Sequence, residues 1–169
     1  QDYHHAFIYG EKLFLLNPKI EKLYHTLLNI IAKTKNWNQL INITDKAYSN
    51  KIIKKEEANE NKSIALFEIA KIKMKSDCKE AINLIEKAIS LKGNFSPYIK
   101  LYTQLLFTSN NNTKALKVLK KYWSQSPSSL LRSSITEVLK ENKINEIEFI
   151  HRLISKNQNN EESKKLLID

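Results

Sequence analysis

Glycine is nearly missing from this chain: two in 169 residues, with only three prolines beside them. A β-rich fold needs a turn residue every few positions, so this scarcity excludes sandwiches and barrels. It also excludes a Gly-rich turn that cradles a dinucleotide. Cys78 is the single cysteine, which rules out an intramolecular disulfide and suits a reducing compartment. No run approaches the roughly 18 apolar residues of a membrane span, and no secretory leader is visible. The opening QDYHH lacks an initiator methionine, so a fragment or processed chain is expected, with room for an anchor upstream.

Arginine is scarce too. Of 28 Lys and Arg residues only Arg132 and Arg152 are arginines, set against 18 Asp and Glu for a net charge of +10. Proteins that read base edges or clamp phosphates rely on Arg, whose planar fork matches those groups. Nucleic acid is therefore not the expected partner, and an A+T-rich coding sequence explains the Lys, Asn and Ile enrichment equally simply.

What the chain does contain is one helix written several times. HAFIYGEKLFLLNP (5–18), EAINLIEKAISLKG (80–93) and KALKVLKKYWSQSP (114–127) each place Ala second and end on Pro or Gly. Ala6 and Leu40 stand 34 residues apart, as do Ala81 and Ala115, while 41 separate Leu40 from Ala81. Four related helices thus share the tetratricopeptide period, with one insertion of seven residues. Two turns after each marker, on the same face, come Leu13, Ala47, Ala88 and Tyr122, where small side chains let helices approach closely. Pro18, Gly93 and Pro127 then stop three of the four copies, with Ile52 at the remaining place. Each copy reads as the second helix of a helix–turn–helix unit.

First helices precede them. One carries the stripe Leu23, Tyr24, Leu27, Leu28 and Ile31, and another Ile99, Tyr102, Leu105 and Leu106. Lys35 and Asn110 occupy the turns where a glycine is usual, and Asn tolerates the left-handed conformation. The insertion falls near residues 54–63, whose Glu and Lys favour helix, so a lengthened first helix is expected. Beyond Pro127 two further amphipathic helices should face inward through Leu130, Leu131, Ile135, Val138 and Leu139, then Ile147, Ile150, Leu153 and Ile154. The expected fold is all-α: a tetratricopeptide-like right-handed superhelix of antiparallel helix pairs. A single repeat domain over 1–169 is expected, cut from a longer array.

The order of features resembles the tetratricopeptide region of the HemY family of bacterial inner-membrane proteins. Trp37 stands at a turn, and the lengthened helix follows a YSNKIIKKEEANENKSIAL linker. Trp123 and Pro127 close a repeat in ALKVLKKYWSQSPSSLL, and Glu162 and Ser163 form a Glu-Ser pair after FIHRLISKNQ. The resemblance covers nearly the whole chain, although the family pattern continues into repeats absent here. It implies two membrane helices upstream, a cytoplasmic repeat domain at the inner membrane, and a part in organising heme-biosynthesis proteins.

Stacked helix pairs curve, and their first helices line a concave surface suited to peptides or partner helices. The polar residues opposite the core stripes, Lys22, His25, Asn29 and Lys33, then Lys100 and Gln104, are the partner-groove candidates. A clamp for a C-terminal carboxylate is not expected, because Phe67 falls where it would need Asn. Lys114, Lys117, Lys120 and Lys121 form a basic-face candidate, open either to an acidic partner, nucleic acid or lipid headgroups, or to simple solvation. His4, His5, His25 and His151 lack ligand spacing, so no metal is expected. Cys78 precedes Lys79 rather than Pro, and no nucleophile–base arrangement occurs, so neither a cofactor nor catalysis is expected. The reading is a non-catalytic protein-interaction scaffold, with homodimerisation through an exposed end helix in view. Its rival is a basic domain on nucleic acid or an anionic membrane, separable by salt dependence.

Overall fold

The computed structural model describes residues 2–142 and 146–168, and these form ten α-helices with no strand among them. In chain order they are α1 (Tyr3–Leu16), α2 (Glu21–Thr34), α3 (Trp37–Ser49), α4 (Lys55–Lys73) and α5 (Cys78–Lys92). Then come α6 (Ser96–Thr108), α7 (Asn112–Gln125), α8 (Ser129–Asn142), α9 (Glu146–Ile154) and α10 (Glu161–Leu166). Each helix through α7 packs on the next; α8 also lies on α6, α9 on α7, and α10 on α8. First helices therefore form one layer and second helices the other. The insertion lengthens a first helix as expected: α4 has 19 residues where α2 and α6 have 14 and 13.

Helix ends follow local chemistry. Asp77 caps α5 by accepting from the Glu80 N–H at 2.9 Å, and Pro97 sits in the first turn of α6, where its missing donor costs nothing. Lys35 and Asn110 adopt the left-handed conformation, with φ of 54° and 58°. A third such residue, Lys51 at φ 59°, lies outside the sequence expectation. It explains Ile52. With neither Pro nor Gly, the chain stops α3 by donating the Ile52 N–H to the Ala47 carbonyl at 2.9 Å, closing a Schellman turn. The Asn111 N–H does the same for the Leu106 carbonyl at 2.8 Å.

The core runs along the interface between the layers. Ala47, Ala81, Ala88 and Ala115 are fully buried, so the period marks the close contacts that the sequence pattern requires. Around them pack Leu27, Ile43, Ile85, Leu105 and Leu119. Trp123 is fully buried; its indole N–H donates to the Ser163 hydroxyl at 3.2 Å, while Asn157 donates to its carbonyl at 2.8 Å. This single side chain ties α7 to α10, and Ser163 belongs to the Glu-Ser pair noted above.

Two expectations fail. In α1 the marker Ala6 is exposed and Leu13 is 51% exposed, because α1 packs against α2 with no described helix on its outer side. Ile147 is 71% exposed rather than inward, since α9 turns Ile150, Leu153 and Ile154 toward the core instead. Val138 lies outside the residues whose side chains are described.

Candidate partner-binding surfaces

On α2 the residues Lys22, His25, Asn29 and Lys33 share one exposed face, as helical spacing dictates. They are not equally free. Lys33 donates to the Tyr3 hydroxyl at 3.3 Å and lies over that ring, so it turns back toward α1. His25 stands 3.5 Å from Glu21 and beside the Tyr24 ring. On α6, Lys100 and Gln104 are half-buried, and Lys100 reaches Glu137 of α8 at 3.8 Å. The two groups of candidates do not meet, because α4 stands between them. Asn61 of α4 donates to the Tyr24 hydroxyl at 2.8 Å, and Ser63 shares a 3.1 Å hydrogen bond with Tyr98. Burial pushes both phenols above their ordinary values, so they remain protonated hydrogen-bonding groups.

The face of α4 is what sequence reasoning missed. Phe67 packs on the Tyr98 ring at 4.9 Å, with Phe95 edge-on to Tyr98 at 4.8 Å. Lys71 lies over Phe67 at 5.2 Å and bonds to Glu68. Ile64 is 37% exposed one turn earlier. The signal was present: Phe67 and Lys71 stand at the i, i+4 spacing that brings a cation over a ring.

The basic-face candidates divide. Lys114 leaves the group, bonding Glu86 of α5 at 2.9 Å and lying over the Tyr102 ring of α6. Burial alone would raise the Glu86 carboxyl, but hydrogen bonds from Tyr102 and Lys114 outweigh it and hold it below its ordinary value. The Glu86 hydrogen bond in turn holds Lys114 well above the usual lysine range. Lys117, Lys120 and Lys121 instead line a cavity of about 340 Å³ between α7 and α9, joined by Arg152 of α9 and Lys156 of the turn after it. These two cations also escaped sequence reasoning. The repeat itself could have found them, because Arg152 and Lys156 each follow a lysine of α7 by 35 residues, about one period. Second helices one period apart are stacked neighbours.

Among the described residues no group of three or more His, Cys, Asp or Glu side chains stands together to hold a metal. Cys78 is a free, half-buried thiol directed at the Leu105 carbonyl. No helix among the described residues is long and apolar enough to cross a membrane.

Helix pairs on a 34-residue period, layered with an alanine-lined interface, define a tetratricopeptide-like right-handed superhelix. Solved structures of that class are similar to this chain. The crystal structure of MamA is 14% identical, covers 94% of this chain and 90% of its own, and superposes with a TM-score of 0.54. YrrB, a TPR protein with an unusual peptide-binding site, is also 14% identical, covering 99% of this chain and 84% of its own with a TM-score of 0.50. At that identity the likeness is one of fold. No family model matches the chain and no curated sequence does, so the resemblance to HemY rests on its motifs alone.

Proposed function

We propose that this chain is a non-catalytic protein-interaction scaffold that holds a peptide or helix of a partner along its layer of first helices. The observation that carries the reading is the row of first helices α2, α4 and α6, joined side by side through the Asn61–Tyr24 and Ser63–Tyr98 hydrogen bonds. It offers exposed Lys22, His25 and Asn29, then the Phe67 ring with Lys71, then Lys100 and Gln104. Polar groups that fix orientation beside a partly exposed ring are what a peptide groove requires. The peptide-binding site of YrrB lends support as a property of the same fold.

Immobilised protein, exposed to nuclease-treated and detergent-solubilised extract at low and at roughly 300 mM salt, tests this. A discrete set of proteins should survive the higher salt and be lost from an Asn29→Arg/Lys100→Glu variant. Retention that vanishes with nuclease or salt would instead assign the chain to nucleic acid or anionic membranes. The narrower setting, organising heme-biosynthesis proteins at a bacterial inner membrane, is supported by the motifs around Trp37, Trp123 and Ser163. Heme-pathway enzymes among the retained proteins would sustain it, and their absence would remove it. Exposed Tyr9, Leu13 and Leu16 on α1 support self-association through an end helix. Gel filtration of a Leu13→Lys/Leu16→Lys variant, expected to run as a monomer where the parent runs larger, checks that.

A further inference from the structure

The α7–α9 cleft lies in the layer of second helices, away from the groove just proposed. Its cavity of about 340 Å³ continues into a second hollow of about 260 Å³, and the two share Lys117, Lys120, Arg152 and Leu153. Leu116, Phe149 and Leu153 give the second hollow an apolar lining. No acidic side chain lines either one. Arg152 is paired, to Glu148 one turn before it. Lys117, Lys120 and Lys156 have no ion pair among the described residues. Lysines left without counter-charges around an apolar recess repel one another, and an anionic occupant relieves that repulsion.

We propose that this cleft is a second docking site, for an acidic segment of a partner protein that carries an apolar side chain between its carboxylates. Lys117 and Lys120 stand one turn apart on α7, while Arg152 lies on α9 and Lys156 in the turn that follows it, so cations flank the recess from both sides. Carboxylates on either side of one buried apolar group match that arrangement. A nucleic acid does not: its phosphates want cations on an open surface, and an apolar recess beneath them adds nothing.

The test uses a fluorescently labelled short peptide in which Glu pairs flank a Leu, read by anisotropy on the whole chain. Lys117→Glu/Lys120→Glu should weaken binding by about tenfold or more, with a smaller loss for the Lys117→Ala/Lys120→Ala pair. Serine in place of the peptide's Leu should also weaken it about tenfold. Lys19→Glu, in the turn between α1 and α2, should leave it unchanged. All these lysines are exposed, so circular dichroism of each variant should match the parent. The proposal falls if the Leu and Ser peptides bind alike, or if phosphatidylserine vesicles or duplex DNA compete as well as unlabelled peptide. It falls equally if the peptide does not bind, or if Lys117→Glu/Lys120→Glu alters only the oligomeric state.

Discussion

α1 and α7 carry the same sequence pattern and meet different fates. In α7 the marker Ala115 is fully buried, and Trp123 closes the helix at 0% exposure beneath α10. In α1 the equivalent Ala6 is exposed, Leu13 is half out, and of the helix only Phe14 is buried. The difference is neighbours: α7 touches α6, α8 and α9, whereas α1 rests on α2. A repeat helix cannot bury its face alone, so pattern states what a helix can pack and position in the array decides whether it does.

The largest break in that comparison should come from Trp123→Ala. It empties a large buried site and orphans the Ser163 contact, and should cost about 3–5 kcal/mol in urea unfolding. Leu13→Ala, at the matching end of α1, should stay within about 0.5 kcal/mol. Ala88→Leu forces methylenes between α5 and its neighbours and should cost about 1–3 kcal/mol. Ala6→Leu, the same kind of enlargement on α1, should be nearly neutral by the same assay.

Charge sharpens the comparison more gently. The carboxyl of Glu86 is held below its ordinary value of 4.5 in the folded chain, so the unfolded chain takes up its proton first on acidification. That stabilisation is complete above 4.5 and is lost as pH falls through the lower folded value. Urea midpoints between about pH 5 and pH 3 should therefore fall more for the parent than for Glu86→Gln. The smallest effect is a gain: Lys51→Gly relieves a left-handed lysine and should raise stability by up to about 1 kcal/mol.

The fold was legible because the chain repeats itself. Ala47, Ala81, Ala88 and Ala115 sit at the close contacts, and Lys35 and Asn110 turn left-handed where glycine is usual. Lys51 was not legible, because a Schellman turn needs only one residue to accept positive φ and Lys carries no signature of doing so. Ile147 misled because the α9 stripe is wide enough to admit two choices of inward face, and only packing on α7 selects one. The surfaces were read less well than the core. Helical spacing named Lys22, His25 and Asn29 but not the ring stack of Phe67, which depends on α6 supplying Tyr98 and Phe95. It likewise grouped Lys114 with its neighbours, although Glu86 draws it away.

Segment-resolved hydrogen exchange measures the central claim, that a stacked array draws its stability from neighbours on both sides. Amides of α5, α6 and α7 should be the slowest to exchange, with protection falling toward α1 and α10. Protection of α1 equal to that of α7 would contradict the account, because it would mean that a repeat helix resting mainly on α2 is as stable as one packed on α6, α8 and α9.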